Sequence, residues 1–141
     1  MAYTDNFRKQ HGELLNVAKS MAKLLNAEQL KRDATEVRRL LSVLHGKLSV
    51  HLVMEDKSLY PRLLNHHDAE IRATTQRFID EMGTLAGVFK NYVTKWPTPG
   101  AIQANPETFI SETGAVFEAL GGRIQRENNE LYVMADEQAA A

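Results

Sequence analysis

The sequence predicts an all-α protein, an antiparallel up-down-up-down four-helix bundle, on two observations. Apolar residues recur at alternating spacings of four and three in four separate stretches, which is the period of one face of an α-helix. No stretch carries the every-other-residue alternation of a half-buried strand. At 141 residues, 43% hydrophobic and 25% charged, the chain is sized for one compact domain. Residues 1–135 are assigned to that domain and 136–141 to a disordered tail.

The first helix is expected from Asp5 to about Leu25, with Phe7, His11, Leu14, Ala18, Met21 and Leu25 as its inward seam. His11 is the only polar residue on that seam. Asn26 is expected to close the helix, and Asp33 with Glu36 resembles a capping box that opens the next one; whether Gln29 to Arg32 is already helical stays open. The second seam runs Val37, Leu41, Leu44, Leu48, His51, Glu55, and Pro61 is expected to end it because proline cannot continue the hydrogen-bond ladder. Asp68 is expected to cap a third helix whose seam is Ile71, Thr75, Phe78, Met82, Leu85, Phe89, Tyr92 and Trp96. Pro97, Pro99, Gly100 and Pro106 mark a long crossing loop. The fourth seam is Phe109, Thr113, Val116, Leu120, Arg123, Glu127 and Leu131, and Gly121 with Gly122 is expected to weaken that helix and to permit close approach of a neighbour.

Net charge is −1, with basic residues scattered among acids, which argues against nucleic acid or an anionic membrane as partner. There is no cysteine, so any metal must be held by His, carboxylate or Met. No signal-peptide core and no 18-residue apolar run is present, and the expected location is cytoplasmic.

In the up-down-up-down topology His11, His51, Glu55, Arg123 and Glu127 all lie toward one end, and Met82 faces them from the third helix. Two imidazoles and two carboxylates in a dry bundle suit one first-row divalent ion, with iron, zinc and manganese all compatible. The same residues also suit a metal-free buried network in which Arg123 neutralises the carboxylates. Met82 continues an apolar seam; as a thioether ligand it would favour copper(I). His45 reads as solvated helix surface, His66 and His67 as polar turn residues, and Trp96 as a core cap. No nucleophile with an adjacent base, phosphate-cradling glycine loop or zinc-protease spacing occurs, so no enzyme is indicated.

The segment His51-x-x-x-Glu55-Asp56-x-x-Leu59-Tyr60-Pro61, the early-helix His11 and the Glu127-Asn128-x-x-Leu131-Tyr132 run resemble the hemerythrin-like, or HHE cation-binding, domains over nearly the whole chain. The resemblance implies a four-helix bundle built around an oxo-bridged di-iron centre, with His11, His51, Glu55 and Glu127 as ligands. It also implies that two of the family's histidines, both on one iron, are replaced by Met82 and Arg123. The expectation is therefore a degenerate hemerythrin-like module for metal or small-ligand binding or sensing, with at most a mononuclear site. The alternative is a metal-free bundle for signalling or protein interaction, and a di-iron site completed by Asp80 or Glu81 is a third reading.

Overall fold

The structure, a computed structural model, describes residues 2–140. The described chain is helical with no strand: α1 (Asp5–Ala22), α2 (Ala27–Arg32), α3 (Thr35–Met54), α4 (Tyr60–Leu64), α5 (Ala69–Lys95), α6 (Pro99–Ala104), α7 (Pro106–Arg126) and α8 (Tyr132–Ala140). Two π-helical turns, Glu55–Leu59 and Glu127–Leu131, join α3 to α4 and α7 to α8 without a break. Four long helical runs therefore carry the fold, with α1 packed along α3, α5 along α7, and the short α2 against α6 and α7. No helix of the described residues is long and apolar enough to cross a membrane.

Each long run buries most of the seam that the spacing marks, with Ala18, Leu25 and Leu85 only partly covered. His11, Val37, Leu41, Leu44, Leu48, Phe78, Phe89, Tyr92, Phe109, Leu120 and Leu131 are all buried. The apolar residues form two separate clusters. One runs from Leu14, Leu48, Met82 and Ile124 to Trp96, and the other gathers Phe7, Leu59, Phe78, Leu131 and Tyr132. On three of the four long runs the boundary between clusters falls at the polar seam positions: His11 lies between Phe7 and Leu14, His51 and Glu55 between Leu48 and Leu59, and Glu127 between Ile124 and Leu131, while on α5 the clusters meet directly between Phe78 and Met82. The polar residues thus form a layer sandwiched between two dry cores.

Several local expectations are corrected. Asn26 does not close α1, which ends at Ala22; its side chain accepts from Gln29 N–H and caps α2 instead. Asp33 accepts from Thr35 N–H at 2.9 Å, but Ala34 occupies the cap position of α3 and Glu36 pairs with Arg39, so no capping box forms. Pro61 does not stop its helix. The Tyr60 N–H reaches back five residues to Glu55, and this wider turn comes just before the ring, where an ordinary turn would clash with it. The proline-rich crossing is mostly helix, because Pro99 and Pro106 occupy first-turn positions where no N–H is needed and Thr98 caps α6 through Ala101 N–H. Gly121 and Gly122 meet no neighbour, since a Cβ at either would touch nothing within 4 Å.

The tail expected from Asp136 is helical as far as Ala140, and Ala141 lies outside the described residues. Asp136 accepts from the N–H and the hydroxyl of Thr4 at 2.9 and 2.8 Å, at the start of α1, and it pairs with Arg8 at 3.7 Å. This ties the last helix to the first beside the polar layer. Asp136→Ala leaves the fully buried Thr4 without its partner and is expected to destabilise the fold by about 1–2 kcal/mol. A urea unfolding midpoint equal to that of the parent would return these residues to the status of a loose tail.

Candidate metal centre

His11 comes from the second turn of α1, His51 from the last turn of α3 and Glu127 from the start of the second π turn. All three are at least 98% buried. Their ligand atoms lie within 4.8 Å of one another. His11 Nε2 is 3.1 Å from His51 Nε2 and 2.9 Å from Glu127 Oε1, and His51 Nε2 is 4.0 Å from the same oxygen.

The opposite edges of the two rings explain this convergence. His11 Nδ1 lies 2.8 Å from Asn128 Oδ1, and His51 Nδ1 lies 2.6 Å from Gln10 Oε1. Both amide oxygens are acceptors, so each imidazole donates its Nδ1–H outward, and in the neutral ring the Nε2 lone pair points inward. Two nitrogen lone pairs and a carboxylate oxygen then face each other in a dry layer. Such a group repels itself unless a proton or a cation sits among its members.

In the absence of a cation a proton fills this role. Burial disfavours the charged form of His51, but hydrogen bonds to Glu127 and Glu55 and the charges of both carboxylates outweigh it and lift the imidazole to about 9. Burial likewise disfavours the charged form of Glu127, yet hydrogen bonds from His11 and His51, together with the His11 and Arg123 charges, hold its carboxyl well below the usual range.

Glu55 is fully buried and stands 3.3 Å from His51 Nε2. It also accepts from the Tyr132 hydroxyl at 2.7 Å and from the Tyr60 hydroxyl at 3.4 Å. Burial and the neighbouring carboxylates push both phenols well above their ordinary value. The Tyr132 oxygen also lies 3.1 Å from His11 Nε2 and 3.3 Å from His51 Nε2, and the Tyr132 ring stacks on His11.

Arg123 takes the other side of Glu127. Its Nε is 3.4 Å from Glu127 Oε2, its Nη2 donates to the Phe78 carbonyl at 2.6 Å and its Nη1 to Glu81 at 3.2 Å. The guanidinium also lies over the Phe78 ring at 4.6 Å. Glu127 Oε2 and Arg123 Nε are buried without a hydrogen-bond partner, so this contact is an ion pair and not a bond. The expectation that Arg123 pairs with both buried acids is thus corrected, because Glu55 is held by tyrosines and histidine instead. Glu81, shared with Arg126, takes the place foreseen for Glu55. Met82 is buried in the larger apolar cluster, as its seam position implies. Asp80 is exposed and accepts from Gln76, and His45 is exposed.

Sequence reasoning missed Gln10 and the Tyr132 hydroxyl as parts of the site. A signal was present, since Glu-x-x-x-Leu-Tyr occurs at 55–60 and again at 127–132, and both copies form a π turn.

A helical chain that gathers buried histidine nitrogens and carboxylate oxygens with no intervening apolar atom has the makings of a cation-binding domain. Residues 3–135 match the hemerythrin HHE cation-binding domain family, and the chain belongs to it. No curated protein and no solved structure matches the chain.

Two measurements test this account of the site. In chelator-treated protein the raised His51 value adds stability that is complete below pH 6.5 and is lost as pH rises through about 9. The depressed Glu127 value adds stability that is present above pH 4.5 and is lost on acidification. The urea midpoint is therefore expected to be higher at pH 6 than at pH 9.5, and His51→Ala should flatten that alkaline slope; a slope unchanged in the variant would assign it to another group. Separately, Arg123→Met removes the ion partner of Glu127 and the donor to Phe78, and is expected to cost about 3 kcal/mol in metal-free protein. A loss near zero would mean that water reaches the layer.

Proposed function

We propose that this chain is a metal-binding module that holds a single ion through His11, His51 and Glu127, with Glu55 beside them, in an antiparallel up-down-up-down four-helix bundle. The observation that carries the reading is the pair of imidazoles whose Nδ1–H groups are turned outward onto amide oxygens, leaving two Nε2 atoms 3.1 Å apart and facing a buried carboxylate. Neutral nitrogen with anionic oxygen fits iron, zinc or manganese. Hydrogen bonds of this kind to the outward Nδ1–H fix a ligating histidine in the correct tautomer.

The residues fit one ion and not two. Glu127 presents one oxygen to the histidines and the other to Arg123, whose permanent charge occupies the side where a second cation would sit. Met82 adds no charge to that side. A bridged pair of irons of the dioxygen-carrying kind has no ligand set there, so the module binds or senses a metal or a small ligand on it. When bound, the ion would supply an electrophilic centre inside a dry layer. The chain itself orients the imidazoles and excludes water by stacking apolar clusters above and below.

A metal-free interaction module is the second reading, and one observation favours it: among the buried polar side-chain atoms of the layer, only Arg123 Nε and Glu127 Oε2 lack a hydrogen-bond partner. Elemental analysis of protein purified without chelator separates the two. One tightly held metal per chain is expected, and His51→Ala should abolish both its retention and the rise in melting temperature that added metal gives. Two irons per chain would overturn the mononuclear reading. No metal under any loading would leave the interaction module.

A further inference from the structure

The Tyr132 hydroxyl is placed differently from every other phenol in the chain. It lies 3.1 Å from His11 Nε2 and 3.3 Å from His51 Nε2, the two atoms of the metal reading, and 2.7 Å from Glu55 Oε2. Donor atoms bonded to one first-row ion at about 2.0–2.2 Å stand about 2.8–3.6 Å from their neighbours in an octahedral or tetrahedral shell. The Tyr132 oxygen meets that spacing against both nitrogens, as His11 Nε2 and His51 Nε2 do against each other at 3.1 Å. Its partner in the repeated motif does not: the Tyr60 hydroxyl donates to Glu55, at 3.4 Å, and to neither histidine nitrogen.

The π turn produces this placement. In an α-helix the residue four after Glu127, which is Leu131, would lie under it, and the fifth would turn away. The wider turn, closed by Tyr132 N–H on the Glu127 carbonyl, brings the fifth residue back to the same face. Tyr132 is fully buried, so its ring has no alternative position in solvent.

We propose that Tyr132 is a further ligand of the ion, so that the site is His11, His51, Glu127 and Tyr132. This rests on the metal-binding reading. As the phenol oxygen bonds to the ion its O–H bond breaks, and the proton passes along the existing hydrogen bond to the Glu55 carboxylate. No electron is transferred and no other reactant is needed. A phenolate and a carboxylate are hard oxygen donors, and together with two imidazoles they favour ferric iron over softer ions such as copper(I).

The test is to load chelator-stripped protein with ferric citrate, remove excess iron, and record iron content, visible absorption and resonance Raman spectra. The parent is expected to hold one iron with a visible phenolate-to-iron charge-transfer band and phenolate ring modes. Tyr132→Phe should keep the fold and the iron while losing the band. The triple variant Tyr3→Phe, Tyr60→Phe, Tyr92→Phe leaves Tyr132 as the sole tyrosine and should retain it. The triple variant also decides the matter should Tyr132→Phe fail to fold. A band that survives in Tyr132→Phe, a band lost in the triple variant, or parent protein that binds iron without any band would each overturn the assignment while leaving the metal site standing. Parent protein that takes up neither ferric iron nor zinc would overturn the metal reading itself, and the ligand role with it.

Discussion

Two imidazole nitrogens and a carboxylate oxygen, turned toward each other in a buried layer, are the constraint on which the rest of this structure depends. Each is an acceptor, or becomes one once its ring is neutral. Held about 3 Å apart, they need a positive centre among them. A protein that wanted only stability would fill these seam positions with leucine, as it does one turn away at Leu14, Leu48 and Leu131. The polar layer instead interrupts an otherwise continuous core and divides it into two clusters. Everything around the layer then serves its orientation: Gln10 and Asn128 hold the outer ring nitrogens, Phe7 and Tyr132 wall the rings, and Asp136 ties the last helix to the first close by.

The two π turns are the backbone's part in this arrangement. Each begins at a buried glutamate and ends at the residue before a buried tyrosine, and each takes up one more residue than an α-turn. Without the extra residue a helix could bring the glutamate or the tyrosine to the inner face, but not both with the leucine between them. In α3 and α4 the same widening lets the chain pass through Pro61. The π turn therefore serves a site and a continuation at once, which is why the proline that ought to stop the helix does not.

The helical class and the inward face of each long run were legible because burial and the four-three spacing are the same fact seen twice. His11, His51, Glu55, Arg123 and Glu127 were legible as misfits on those faces. The short helices were not, since α2 and α6 each span 6 residues, too few for any periodicity, and they are set by single caps at Asn26 and Thr98. The partners of Arg123 were not legible either. A seam assigns a face and a level, but whether a guanidinium turns to Glu55 or to Glu81 depends on rotamers and on which acceptors are already taken. Glu55 is already taken by two phenols, and Glu81 lies half-exposed beside Arg126 with its carboxyl held below the usual range chiefly by that arginine.

That division also accounts for the asymmetry of the site. Glu55 and Glu127 sit at equivalent places in matching motifs, yet one is surrounded by phenol hydroxyls and the other lies between imidazole and guanidinium. Phenols are neutral, and they leave Glu55 free to carry its charge or to accept a proton from a neighbour. A guanidinium cannot give up its proton and cannot coordinate a metal, so it holds one Glu127 oxygen in an ion pair at 3.4 Å and leaves only the other to the histidines. Glu55 therefore faces neutral hydroxyls, whereas Glu127 faces a fixed positive charge. The two copies of the six-residue pattern thus end in different surroundings, Glu55 among hydroxyls and beside His51, Glu127 divided between His11 and the Arg123 charge.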